Sequence, residues 1–346
     1  MKRFPKGKII YCIAFFLILC TAGVMMASVS GFSIESIFST AKSKGYNDAI
    51  FERNGEICWF DYSEGSITIL DRGGKYTPVL SPNRSRILYR KSVFETEGNV
   101  MQFGIITIDG EFLREIVIDS YLSNDIIGLQ WLSDSTVGIT THVNPSTSEF
   151  FVYNVDTGEK IASYVGYAFA QIPNTDKIIH AENVPHWSDE PVYHSFVVDG
   201  KIVYTSDIID ARLDPPVFSS DGTKFAFVEN LPDLEASQRI ITGNFDKESL
   251  TLKNIRSINI PSEVAGYLTF DESNNICIIN NNLLQIYNEK ASKFITSEIS
   301  TDLRNRWSDS KNFAALQTAV TKYWGDDSLE RINSITWIPE VKTEQP

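Results

Sequence analysis

The chain has 346 residues, 42% of them hydrophobic and 22% charged, and a formal charge of −13. Nucleic-acid binding needs a basic footprint, so this balance argues against it. Without the four bases that precede Ile9 the charge falls to −17, which argues against close contact between the rest of the chain and an anionic membrane surface.

The first thirty residues differ from the rest. Lys2, Arg3, Lys6 and Lys8 precede an uncharged run from Ile9 to Val29, and no acidic residue appears before Glu35. At 1.5 Å per residue this run is long enough to cross a bilayer core of about 30 Å as a helix. The positive flank predicts that the N-terminus stays in the cytoplasm and the remainder is exported. The length favours an uncleaved signal anchor. A cleaved signal peptide ending at Ser28-Val29-Ser30, and a lipoprotein acylated at Cys20 after Leu17-Ile18-Leu19, are the two alternatives. Residues 1–30 are thus read as a basic stub and membrane or signal segment. In 31–45, Ile34, Ile37, Phe38 and Ala41 recur at helical spacing before Gly45, which predicts a short stalk helix.

From Tyr46 the pattern changes. Short runs rich in Ile, Val, Phe, Tyr and Thr alternate with turn signals such as Asn54-Gly55, Asp109-Gly110, Asp199-Gly200 and Asp221-Gly222. Glycine supplies the positive φ that tight turns require. Regular strand–turn spacing predicts an antiparallel all-β domain over 46–340, with a tail at 341–346. Lys311–Trp324 fits either a helix or strands. Cys58 and Cys277, too few for a disulfide scaffold, read as buried thiols in strands, with a bridge between them as the alternative.

One pattern repeats: an apolar anchor, a turn rich in Ser, Pro, Asp and Asn, then an apolar strand. The anchors are Leu80, Trp131, Ile172, Phe218, Leu268 and Trp307, spaced by 51, 41, 46, 50 and 39 residues. That period fits the four-stranded blade of a β-propeller, with six or seven blades. The C-terminal run Ile332–Glu340 is placed to join the first blade and close the ring, removing exposed sheet edges.

The clearest copy, Phe218-Ser219-Ser220-Asp221-Gly222-Thr223-Lys224, and a second, Leu80-Ser81-Pro82-Asn83, resemble the repeat of TolB-like propellers. The resemblance implies that the Asp-Gly turn joins the first and second strands of a blade and is structural. It also implies periplasmic and surface proteins with interaction roles, and the propeller domains of some peptidases.

The chemistry sought in the chain is sparse. No G-x-S-x-G elbow occurs, and Ser219-Ser220-Asp221-Gly222 lacks the spacing of a sialidase turn. His180, His186 and His194, with Glu182 or Asp189, form a local cluster, but spacings of six and eight match no compact metal-ligand pattern. Loop and strand-edge histidines are expected. Asp326-Asp327-Ser328 lacks the repeat of a calcium loop, and Gly73-Gly74-Lys75 is too short for a phosphate loop. Trp187, Trp324 and Trp337 read as core more than as binding aromatics. Asn83-Arg84-Ser85 fits a glycosylation acceptor, a pattern common by chance.

No residue is therefore assigned a catalytic, cofactor-binding or metal-binding role. The expected function is a membrane-anchored extracytoplasmic propeller that binds a protein or envelope component. A propeller enzyme acting on extracellular glycans or peptides, and a sensor accessory domain, are the alternatives.

Overall fold

The computed structural model describes residues 48–95, 98–123, 125–182, 191–232, 238–260, 266–271, 273–280, 283–297, 310–325 and 331–338. All belong to a compact unit spanning 46–346. The apolar run 9–29, the stalk 32–45, the anchor Trp307 and the tail 341–346 lie outside the described residues. Among those described, no helix is long and apolar enough to cross a membrane.

The chain folds as an all-β propeller. The first strands are β1 (Ala49–Arg53), β2 (Glu56–Asp61) and β3 (Ser66–Asp71). The second sheet is β4 (Lys75–Leu80), β5 (Arg86–Glu95), β6 (Gly98–Thr107) and β7 (Phe112–Val117). Then come β8 (Asp125–Trp131), β9 (Thr136–Asn144), β10 (Thr147–Asn154), β11 (Lys160–Gln171), β12 (Ile178–Ala181), β13 (Ser195–Val198) and β14 (Lys201–Thr205), which form one seven-stranded sheet in reverse order, β14 to β8. The next sheet follows the path β15 (Arg212–Leu213), β17 (Lys224–Asn230), β18 (Gln238–Asp246), β19 (Thr251–Asn259), with β16 (Val217–Phe218) also on β17. The next is β20 (Tyr267–Phe270), β21 (Ile276–Asn280), β22 (Leu283–Asn288) and β23 (Lys293–Ser297). Helix α1 (Ser310–Trp324) and strand β24 (Ile332–Trp337) follow.

β24 pairs antiparallel with β1, Ala49 opposite Trp337, so the first sheet is β24-β1-β2-β3. The last described strand thereby becomes the first strand of the first sheet, the closure the sequence places there.

Sheets are stacked face to face through shared cores. Ile50, Ile57 and Trp59 of the first sheet pack with Ile87, Tyr89 and Ile106 of the second. Phe103 and Ile105 pack with Ile139 and Phe151. Across the bend within the seven-stranded sheet, Phe150 and Val152 pack with Ile178; between sheets, Phe196 packs with Phe225 and Phe227, and Ala226 and Ile240 with Ile276 and Ile278. Because inner strands are covered on both faces, they read as continuous apolar runs such as Ile57–Phe60 rather than as alternating patterns.

Two expectations are corrected or resolved. The repeat period predicts six or seven separate blades. The described strands instead give four sheets on a four-strand path and one of seven strands. The cause is β11. Its first half pairs with β10 up to Gly166, and its second half pairs with β12 from Tyr167. A bulge and a positive φ at Ala168 bend the strand without a loop. Gly166 permits the bend, since a Cβ there would lie 2.3 Å from the Ala181 carbonyl oxygen. The ambiguous segment 311–324 is helical. Leu316, Ala319 and Val320 are buried, and this stripe covers Ala49, Phe51, Cys58 and Phe60 of the first sheet.

Candidate interaction surface

The segment from Ile118 to Asp125 leaves the outermost strand of the second sheet, β7, and enters β8 of the next. It begins with buried Ile118, whose N–H donates to the Met101 carbonyl at 2.9 Å. Ser120 then folds back: the N–H groups of Leu122 and Ser123 donate to its Oγ at 3.1 and 3.0 Å. A serine turn of this kind rigidifies a short loop.

Both serine hydroxyls point inward. Ser120 Oγ and Ser123 Oγ each donate to Oε2 of Glu149, a carboxylate of β10 only 8% exposed. Ser123 Oγ also lies 2.7 Å from Thr141 Oγ1, and Thr141 is fully buried. The far end of the segment is clamped by Arg90 of β5, which donates to Asp125 Oδ1 at 2.5 Å and to the Ile126 carbonyl at 2.9 Å.

Ser120 and Ser123 turn inward, while Tyr121 and Leu122 between them face solvent, as does Asp119. Tyr121 is 96% exposed, Leu122 next to it is exposed, and so is Ile127 in β8. This reverses the usual distribution, in which serine is outside and large apolar side chains are inside. Exposed apolar groups grouped together on a monomer mark interaction sites. A tyrosine on a loop that is already ordered forms contacts at low entropic cost.

The other buried charges serve the framework. Glu229 is fully buried, and Arg239 donates to it and to Asp207, while Tyr204 Oη donates to Glu229 at 3.2 Å. Burial, then the adjacent Glu229 charge, pushes the Tyr204 hydroxyl well above its ordinary pKa. Lys91 bridges to Glu115 at 2.5 Å, and Tyr89 Oη donates to the same carboxylate at 2.9 Å. Burial alone would raise the Glu115 pKa; these two donors outweigh it and lower it.

The histidine cluster does not converge. Neighbouring residues of a strand face opposite sides. His180 stacks on Phe169 and lies near Tyr164, where burial lowers its pKa. Ala181 faces the other way, into the core that includes Tyr167, and Tyr167 Oη lies 2.8 Å from His194 Nδ1. Glu182 is exposed, while His186, Trp187 and Asp189 lie outside the described residues, as do Asp326, Asp327 and Ser328. Among the described residues no group of three or more His, Cys, Asp or Glu is placed to hold a metal.

Trp337 is buried, and Trp324 packs on Phe51 and against α1's neighbour Arg53. Cys58 and Cys277 are free and buried, and burial pushes each thiol up to about 12. Asp221 Oδ1 accepts from Ser219 Oγ at 2.6 Å, Thr223 N at 2.9 Å and Thr223 Oγ1 at 2.8 Å, inside the turn joining β16 to β17. Asn83 Oδ1 repeats this with Ser81 and Ser85 in the turn joining β4 to β5. The Asp-Gly repeat is therefore structural here. Lys75, after Gly73-Gly74, pairs with Asp71 at 2.7 Å. Sequence reasoning passed over the Ile118–Asp125 segment because its serines look like ordinary loop residues; the signal available was Tyr-Leu between two serines.

No family model matches the chain, and no curated protein matches it. Among solved structures it is similar to the β-propeller domain of the Trilobed protease from Pyrococcus furiosus, at 13% identity over 73% of this chain and 81% of that one, with a TM-score of 0.47. It is also similar to an oligogalacturonate lyase in complex with manganese, at 15% identity over 70% of each chain and a TM-score of 0.49. A third is the Dos1 propeller, at 9% identity over 71% of this chain and 66% of that one, with a TM-score of 0.45. None of these likenesses carries an activity to this chain.

Proposed function

We propose that this protein is a binding module: a propeller tethered to the membrane by residues 9–29, held outside the cytoplasm, that grips a protein or envelope partner through the Ile118–Asp125 segment. The observation that carries this reading is Tyr121, almost fully exposed on a loop whose serines are pinned to the buried Glu149. The basic flank before Ile9 supports the orientation. In the same reading the propeller is of the TolB-like kind.

The test is affinity recovery of the full chain from solubilised membranes, beside Tyr121→Asp and Leu122→Asp variants. A partner held by the natural chain and lost from both variants supports the proposal. Equal recovery, or none from the natural chain, overturns it. Mass spectrometry showing a mature start near Gly31 would remove the tether.

A further inference from the structure

A cavity of about 430 Å³ lies at the far end of β9 from Glu149, against the turn that leads from β8 into β9. Ala162 and Tyr164 of β11 line it, facing Asp176, Lys177 and Asp199. The neighbouring junction, one sheet earlier, shows what ordinarily fills such a place.

The residue that closes each of these turns is identifiable by its backbone. The Arg86, Thr136, Lys177 and Lys224 carbonyls each accept from the residue that opens the turn, at 2.9, 2.9, 3.0 and 3.1 Å. Arg86 reaches across to the next sheet and pairs with Asp156 at 2.7 Å. Beside it Arg114, third residue of β7, donates to the Asp156 and Thr157 carbonyls at 2.8 and 2.9 Å. Lys224 likewise reaches over to the Asn274 carbonyl at 3.4 Å.

At the cavity both cations are missing. The turn-closing residue is Thr136, too short to cross, and the third residue of β11 is Ala162. Asp199, in the turn between β13 and β14, stands where Asp156 stands in the preceding unit. Among the described residues its ion pair comes from its own side, from Lys177. Asp176 is exposed and adds a second carboxylate at the cavity. Two carboxylates against one ammonium leave the cavity acidic, with Ile161, Ala162 and the Tyr164 ring as apolar wall.

We infer that this cavity binds the guanidinium side chain of an arginine-bearing peptide, which takes the place that Arg86 and Arg114 hold at the preceding junction. The carboxylate of Asp199 would receive the charge, as Asp156 does for Arg86. The apolar wall suits the aliphatic stem, and an aromatic face favours a cation. The site lies at the opposite end of β9 from Glu149 and does not depend on the proposed partner surface.

The test is calorimetric titration of the full chain in detergent with N-acetyl-arginine amide, and with the citrulline analogue, which has the same shape without the charge. Saturable binding of the arginine compound, with the citrulline compound at least about ten-fold weaker, is expected, because the charge assistance of its hydrogen bond to the carboxylate is lost. Asp199→Asn, in a turn where asparagine tolerates the positive φ, is expected to weaken arginine by a similar factor. Thr136→Arg is expected to abolish binding and raise the melting temperature by filling the cavity from within. Equal affinity for the two compounds, no saturable binding of either, or undiminished binding by Thr136→Arg overturns the inference.

Discussion

The guanidinium carbon of Arg53 lies 4.1 Å from the ring centroid of Trp324. Arg53 ends β1 and is 2% exposed; Trp324 ends α1. This contact joins the end of β1 to the end of the helix that covers the first sheet, and Phe51 meets the same indole edge-on at 6.4 Å.

Trp324→Ala is therefore expected to destabilise the domain by about 3 kcal/mol, combining a lost aromatic with a cation left without its ring. Trp324→Phe, which keeps a ring face, is expected to cost much less. Urea unfolding of both variants checks this; equal midpoints would refute it.

Glu149→Ala leaves the Ser120 and Ser123 hydroxyls without their shared acceptor. The expected cost is about 2 kcal/mol. Amide exchange at Leu122 and Ser123 is expected to accelerate, while exchange in β21 and β22 stays unchanged. Tyr121→Ser, by contrast, is expected to alter stability by no more than about 0.5 kcal/mol, since the ring packs on little.

Asp221 has a pKa held far below the usual carboxylate range by the Ser219 hydroxyl, then by the Thr223 N–H and hydroxyl. A depressed folded pKa adds stability that is present above the unfolded value of about 3.9 and is lost as pH falls below it toward the folded value. Asp221→Asn is expected to keep the turn, as Asn83 does in the turn after β4. It is also expected to flatten the acid limb of the stability curve. Thermal melts from pH 7 down to pH 2 check the sign: an unchanged acid limb would contradict it.

Native protein is expected to resist thiol reagents at pH 8, because Cys58 and Cys277 are buried and their thiols are pushed up to about 12. Both are expected to label in denaturant. Reductant is expected to leave the melting temperature unchanged, which a bridge between them would not allow.

Much of the scaffold was legible in the sequence. Strand-rich runs and Asp-Gly turns follow from local backbone preference, and Ile332–Trp337 reads as a strand left over for closure. The union of two sheets through β11 was not legible, since it depends on how closely Gly166 approaches Ala181. The helix was ambiguous because Phe313, Leu316 and Val320 keep helical spacing while Thr318, Val320, Thr321, Tyr323 and Trp324 are residue types that favour strands. The histidines drew attention by type, yet strand alternation sends His180 and Ala181 to opposite faces. The Ile118–Asp125 segment escaped because an inward serine cannot be told from an outward one until the fold brings up its acceptor, Glu149, which lies 29 residues away in sequence from Ser120.

The pairing of Ala49 with Trp337 imposes a wait on biosynthesis. At about 5–20 residues per second, a ribosome needs roughly 15–60 s to make the chain between them. For that time β1 has a partner only on its β2 side, and its other edge, carrying Ile50 and Phe51, is unpaired. A nascent chain in this state is open to mispairing with other nascent strands, so yield should depend on how fast the last forty residues arrive and whether something shields that edge until they do.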